Sequence, residues 1–216
     1  MKHPALRCTV TALLLSGVCS TYGADSSYWY TGLGVGVSRA QFYPLDFSSG
    51  GTFNETKNEY DAGFKGFIGH QINRNWGAEL SYVIVGKFHY KYESGGITQD
   101  ATYKVAGMGV SLVPTVPFTR NFSVYGRLGG FFSQTRLTFY NEGFVVGASS
   151  SGRQFSNVTF LSGFGAQYFF DGESGVRIEF ENFGKVGNEC SPSIPPGTCT
   201  GRANAKMASA NLIFKF

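Results

Sequence analysis

The stretch from Tyr28 to Val37, which reads YWYTGLGVGV, decides the fold because it alternates between two kinds of residue. One set is Trp29, Thr31, Leu33, Val35 and Val37, and the other is Tyr30, Gly32, Gly34 and Gly36. Successive side chains of a β-strand point to opposite faces. The stretch therefore predicts a strand with one apolar face and one face of mostly small residues.

The same alternation recurs seven more times along the chain. The further predicted strands begin near Tyr60, Trp76, Lys104, Phe122, Val158 and Val176, and the last one includes Ala208. Three connections are short and polar, at 73–75, 119–121 and 171–174, and four are long, at about 39–58, 87–101, 137–155 and 185–202. Short turns at one rim and long loops at the other are typical of a membrane barrel.

The composition excludes several other classes of protein. The 216 residues include 30 Gly, and only 15% are charged, against about a quarter in soluble domains. No apolar run of about 18 residues follows the N-terminus, which excludes a helical membrane protein. The net charge of +4 is small and not clustered, so we expect no nucleic-acid partner.

A soluble sandwich or lipocalin-like barrel also produces period-two alternation. The interior of an eight-stranded barrel only just holds its side chains, so the small and charged face fits inside and the large apolar face outside. Aromatic residues near the strand ends, such as Trp29 and Trp76, fit an interfacial girdle. We therefore predict an all-β fold, an eight-stranded antiparallel transmembrane β-barrel with short periplasmic turns and four longer extracellular loops.

The N-terminus has the pattern of an export signal. Lys2 and Arg7 precede a short apolar stretch at 12–18, and small residues follow it. This pattern predicts a signal peptide over residues 1–24, cleaved after Gly23 or Ala24, and a barrel over 25–216. The alternatives are a retained anchor, for which the stretch is short, and a lipoprotein signal at Cys19, which Val18 fits poorly.

Cys190 and Cys199 lie in a connection rich in Pro, Ser and Gly. In an exported protein, two cysteines at this spacing predict a disulfide. The alternative is a metal-binding pair, but no His or acidic cluster stands nearby to complete a zinc site.

The chain as given ends with Leu212, Phe214 and Phe216 on one face of the last predicted strand. This terminal aromatic pattern resembles the signal that the outer-membrane β-barrel assembly machinery reads. We therefore expect that machinery to be a partner of the protein.

Several segments together resemble the transmembrane domain of the OmpA family. They are Gly77–Tyr82, Ala101–Lys104 with Gly107, Val124–Gly130, Gly165–Tyr168 and Arg177–Phe180. The resemblance implies the outer membrane of a Gram-negative bacterium, surrounded by lipid and lipopolysaccharide. Some family members continue into a peptidoglycan-binding domain, which is not expected in this sequence.

The family resemblance also implies an ionic network inside the barrel. Glu79, Arg127, Arg177 and Glu179 stand at matching inward positions, and Asp61, Lys65 and Glu181 share the inward parity. Charges in so narrow a lumen must be paired. Where the family's gate has a Lys and a Glu, this chain has Val113 and Gln167. The network is therefore interpreted as structural filling rather than as a gate.

No catalytic, cofactor or metal site is predicted. Only His70 and His89 follow the predicted signal peptide, and neither belongs to a motif of a lipid A-modifying enzyme. The first hypothesis is a non-enzymatic, monomeric scaffold whose loops bind a host or surface ligand. The loop aromatic residues are Phe42, Tyr43, Phe47, Tyr92, Tyr140 and Phe144. The alternatives are a small ion-permeable pore and, third, a lipid A-modifying enzyme.

Overall fold

The structure is a computed structural model that describes residues 27–42, 54–94, 97–142, 151–189 and 200–216. These ranges form nine β-strands. Their bounds are β1 Tyr28–Phe42, β2 Asn54–Asn58, β3 Tyr60–Gln71, β4 Trp76–Ser94, β5 Ile97–Pro117, β6 Phe122–Glu142, β7 Ser151–Phe169, β8 Ser174–Asn188 and β9 Gly201–Lys215. No helix in these ranges is long and apolar enough to span a membrane.

The strands close into an antiparallel barrel. β2 and β3 both pair with β4 and are separated by Glu59 alone, so together they form one of eight barrel strands. Pairing of β4 with β5 and of β1 with β9 completes the ring. The predicted eight-stranded antiparallel barrel is confirmed.

The outward face of the barrel is apolar, as the alternation predicts. Leu33, Val35 and Val37 on β1 are more than half exposed, while the neighbouring Gly32 and Gly34 are buried. Trp29 and Trp76 are each half exposed at the end that carries the short turns 72–75, 118–121 and 170–173. This end is called the short-turn end below, and the other is called the long-loop end.

The strands extend further toward the long-loop end than the sequence predicts. β4 continues to Ser94 and β5 begins at Ile97, so most of the predicted loop 87–101 is strand. The alternation does not reveal this extension because a β-bulge lies between Ile84 and Gly86, where Gly86 has a φ of +141°. An extra residue in one strand reverses the inward and outward parity beyond it. Phe88 is accordingly buried although Ile84 is exposed.

The interior contains more large apolar side chains than predicted. Toward the long-loop end it is filled by a cluster that includes Phe42, Phe88, Tyr103, Phe131, Leu161 and Phe183. Phe42, predicted to be a loop aromatic available to a partner, is only 5% exposed within this cluster. Glycine and charge therefore fill only part of the lumen, and aromatic rings such as that of Phe131 pack against inward glycines such as Gly107.

Candidate functional site

A buried ionic cluster occupies the middle of the barrel, and it is the candidate functional site. Its members are Lys65 on β3, Glu79 on β4, Arg127 on β6, and Arg177, Glu179 and Glu181 on β8. All six are at most 2% exposed. Three basic residues face three acidic residues, so the formal charges of the six sum to zero.

Arg127 links two sides of this ionic cluster. Its Nη1 lies 2.6 Å from Oε1 of Glu181, and its Nη2 lies 2.9 Å from Oε1 of Glu79. The same guanidinium donates to the hydroxyl of Ser111 at 3.0 Å. Such charge-assisted contacts are stronger than neutral hydrogen bonds, and here they connect β6 with β4, β5 and β8.

Lys65 holds the other end of the carboxylate group. Its Nζ lies 2.6 Å from Oε1 of Glu179 and 3.0 Å from Oε1 of Glu181. Glu179 also accepts hydrogen bonds from the Tyr125 hydroxyl at 3.0 Å and from the Asn211 side-chain amide at 3.0 Å. Because these partners come from different strands, Glu179 connects β3, β6 and β9 across the lumen.

Arg177 closes the ionic cluster toward the short-turn end. Its Nη1 donates to Oε2 of Glu79 at 2.6 Å, and its Nη2 donates to Oε1 of Gln167 at 2.9 Å. Its guanidinium carbon also lies 4.6 Å from the ring centre of Phe67 and 4.7 Å from that of Tyr125. Aromatic faces attract a cation, most strongly where water is excluded.

A cavity of about 500 Å³ opens at the short-turn end, and one of its lining residues, Gln167, accepts a hydrogen bond from Arg177. Gln71, Ser123, Gln167 and Lys215 are among the residues that line it. The buried group of Tyr30, Phe67, Phe169 and Ile213 adjoins this mouth. Among the described residues, three sets of side chains therefore occupy the lumen between this mouth and the long-loop end. The aromatic rings come first, the ionic cluster second and the apolar cluster last.

The structure brings six of the seven predicted network residues together and places Asp61 elsewhere. The Asp61 carboxylate accepts a hydrogen bond from the backbone N–H of Lys87, at the Gly86 bulge. Asp61 shares the inward parity, but it lies nearer the long-loop end than Lys65 does and so is beside the bulge instead. Val113 and Gln167 are both buried inside the barrel.

Sequence reasoning missed the neutral partners of the ionic cluster. Tyr30 donates to Glu79 at 3.2 Å, and Ser81 accepts from Arg127 at 3.3 Å. Inward parity was a signal for these residues, but parity does not indicate which side chains reach one another across a lumen.

The remaining predicted features lie partly outside the described residues. These include the signal peptide over 1–24, the pair Cys190 and Cys199, and the aromatic residues Tyr43, Phe47 and Phe144. The side chains of Tyr92 and Tyr140 also lie outside them. Leu212, Phe214 and Phe216 point outward and are 54%, 47% and 71% exposed. Their part in assembly stays a prediction.

Eight antiparallel strands in a closed ring, an apolar outward face and short turns at one end define an outer-membrane β-barrel. The sequence model of the OmpA-like transmembrane domain matches residues 24–216. The chain therefore belongs to the family of OmpA-like transmembrane domains, as the resemblance implied, and its location is the outer membrane of a Gram-negative bacterium.

The individual relatives are identical to this chain at only about a quarter of the aligned positions. Outer membrane protein A of Shigella dysenteriae is 27% identical over 188 residues, which cover 87% of this chain and 50% of that relative. Its counterpart from Serratia marcescens is 24% identical over 222 residues, covering 100% of this chain and 56% of that relative. The chain thus spans about half the length of these relatives. The crystal structure of Neisserial surface protein A, at 15% identity, has a TM-score of 0.50 and covers 89% of this chain and 100% of that one, which shows a shared fold.

Proposed function

We propose that the protein is a non-enzymatic scaffold of the outer membrane, a sealed barrel that presents four surface connections to a partner. The observation that carries this proposal is the packed interior. The six charged residues of the ionic cluster are at most 2% exposed, and an apolar cluster fills the lumen above them. A packed and charge-balanced interior suits a rigid support, on which binding residues are typically placed in loops.

An ion-permeable pore is the second candidate, because the lumen is lined with charge. A conducting path would have to pass both Arg127 and the Phe131–Phe183 ring pair, whose centroids are 4.7 Å apart. Both obstacles are made of fully buried side chains, so the geometry favours the sealed scaffold.

A lipid A-modifying enzyme has less support from the described residues. His70 Nε2 lies 2.9 Å from the Ser27 hydroxyl. This pair is at the short-turn end, whereas lipid A lies in the outer leaflet, toward the long-loop end. His89 at the long-loop end lies 3.5 Å from the Thr102 hydroxyl. If the proposal holds, the mass spectrum of lipid A stays the same when the protein is expressed. A mass change that disappears in His89→Ala would contradict it.

The loop-binding part of the proposal is tested by replacing residues 43–53, 143–150 and 190–199 with Gly-Ser connectors of equal length. Proteoliposomes with the original or the altered barrel are then compared for adhesion to cultured epithelial cells. We expect adhesion to fall while cold and boiled samples still migrate differently on SDS gels, since the barrel itself is unchanged. Equal adhesion by folded proteins of both kinds would refute a binding role for these three of the four connections.

A further inference from the structure

Three cations stand side by side on the outward wall of the barrel. Lys87 on β4 is the register partner of Lys104 on β5, and Lys104 is the partner of Arg136 on β6. All three side chains are exposed and point away from the lumen, because Phe88, Tyr103 and Leu137 beside them are buried inside. These three residues are called the cation row.

In the part of the chain that the structure describes, the Asp61 carboxylate lies beside Lys87, at one end of the cation row. None of the three residues forms an ion pair there, and Asp61 contacts Lys87 only through the backbone N–H. Like charges directly opposite each other in a sheet are destabilising. By contrast, Arg39 on the β1 side of the barrel is paired with Glu59 at 2.9 Å. The cation row is therefore an electrostatic site that an external anion would complete.

The row lies at the edge of the lipid-facing band. Two outward rows below it, Tyr82, Met108, Phe132 and Val158 are register partners and are about half exposed. Lys104 lies ten residues along β5 from Pro114, the partner of Trp76. At about 3.3 Å per residue and a tilt of about 40°, this places Lys104 about 25 Å above Trp76, which matches the height of the apolar band in such barrels.

The wall at this point is also recessed. A surface depression of about 250 Å³ is lined by the three cations together with Ile84, Ala106 and Gln154. Gly86, which has no side chain, lies at the depression and leaves room beside Lys87. The depression thus has a cationic upper edge, and its lower part combines the apolar Ile84 and Ala106 with Gln134. This arrangement suits a molecule with an anionic headgroup and acyl chains.

We infer that the cation row binds the phosphate groups of a phosphorylated glycolipid of the outer leaflet, such as lipid A. The long-loop end of an outer-membrane barrel faces the cell surface, and lipopolysaccharide surrounds such a protein. The acyl chains then lie against Tyr82, Met108 and Phe132, and the phosphates meet the Lys and Arg side chains. This site is on the wall and is independent of any partner that the loops bind.

The test measures retention of bis-phosphorylated lipid A on the full-length, detergent-folded protein by native mass spectrometry. We expect K87Q/K104Q/R136Q to weaken binding by at least about tenfold, since each basic residue near an anionic lipid surface contributes. The variant R74Q/R120Q/K206Q removes the same charge elsewhere and is expected to bind like the original protein. K87R/K104R/R136K keeps the charges and should keep the binding.

Two further arms identify the source of the phosphate. Dephosphorylated lipid A should bind no better to the original protein than to the triple Gln variant, and inorganic phosphate should not displace lipid A. Equal lipid A binding by the original protein and the triple Gln variant would overturn the inference, as would an equal loss in R74Q/R120Q/K206Q. Displacement by inorganic phosphate would overturn the lipid assignment.

The single variant K104Q, at the centre of the cation row, provides the same comparison with one exposed substitution. All variants are first checked for heat-modifiable migration, which shows that the barrel has folded.

Discussion

Among single residues, Arg127 contributes most to the ionic cluster. It contacts both Glu79 and Glu181, and neither carboxylate has access to water. A buried charge that loses its partner keeps its desolvation penalty without the compensating attraction, at a cost of about 3–5 kcal/mol. The network is therefore expected to be sensitive to the loss of any one member.

Arg127→Met is expected to lower the free energy of unfolding by about 3–5 kcal/mol. The measurement is a urea titration of the detergent-folded barrel, followed by tryptophan fluorescence. Arg136→Met on the same strand is the control, because Arg136 is exposed, and its effect should stay within about 0.5 kcal/mol. Adding Glu181→Leu to Arg127→Met should cost less than the two separate changes combined. A loss below about 1 kcal/mol for Arg127→Met would mean that the pairs contribute little.

The charged members of the ionic cluster could be predicted from the sequence, and their neutral partners could not. Alternation assigns Lys65, Glu79 and Arg127 to the inward face whatever their contacts. Contacts such as Tyr125 with Glu179 join residues that are 54 positions apart. They depend on side-chain length and on the diameter of the barrel, neither of which is encoded in a local pattern. Asp61 shares the inward parity, but its carboxylate accepts a hydrogen bond from the backbone N–H of Lys87 at the bulge and does not join the ionic cluster.

At the scale of strands, the bulge at Gly86 sets which residues of β4 face the lumen. Gly86 has a φ of +141°, which L-residues with a side chain rarely adopt, and a Cβ there would lie 2.8 Å from the Asp61 carboxylate. The bulge also orients Lys87 outward and Phe88 inward. The chain therefore needs glycine at this position.

Gly86→Ala is expected to lower the free energy of unfolding by about 1–3 kcal/mol, because the residue would be held in a strained backbone conformation. The matched control is Gly130→Ala, whose Cβ would meet only Val158 at 3.9 Å. Urea titrations of both variants give the comparison. Equal stability of the two variants would show that the bulge tolerates a side chain.

The turn between β7 and β8 gives a pH-dependent prediction. The backbone N–H groups of Ser174 and Glu173 donate to the Asp171 carboxylate at 2.6 and 2.9 Å, and they lower the pKa of Asp171 below its ordinary value. A lowered folded-state pKa contributes stability that is complete above the unfolded-state pKa of about 4. That stability is lost as the pH falls through the folded-state pKa.

The stability difference between the original protein and Asp171→Ala should therefore be constant from about pH 7 to about pH 5 and should shrink below about pH 4. Unfolding titrations across this range measure it. The difference between Asp171→Asn and Asp171→Ala should not vary with pH, because neither side chain titrates. A gap between the original protein and Asp171→Ala that is still unchanged near pH 2 would contradict the capping role.

The existence and order of the strands could be predicted from the sequence, but the residues at which they end near the long-loop end could not. The alternation around Leu33 or Ile178 is uninterrupted, so those segments were assigned correctly. Beyond Gly86 the alternation continues with opposite parity, and the segment therefore read as a loop. β8 has the same kind of irregularity between Asn182 and Gly184. A search for strict period-two alternation does not recognise a strand that continues past a bulge, because the extra residue shifts the pattern by one position.

At the scale of the whole molecule, the barrel has three interior layers inside one apolar wall. Aromatic residues adjoin the mouth at the short-turn end, the ionic cluster fills the middle, and apolar residues fill the upper part. The ionic cluster connects β3, β4, β6 and β8, and the apolar cluster covers it toward the long-loop end. Low dielectric surroundings strengthen these ion pairs. The layers thus stabilise one another and leave the outer surface free for lipid and partners.

Ion conductance across planar bilayers tests this account most directly. Because the ionic cluster and the apolar cluster block the described lumen beyond the cavity at the short-turn end, the folded protein should give no discrete current steps. Arg177→Ala should also give none, since the apolar layer that contains Phe131 and Phe183 remains above the altered site. Reproducible steps from the folded, heat-modifiable protein, altered in size by Arg177→Ala, would contradict the sealed scaffold and favour a pore through the ionic cluster.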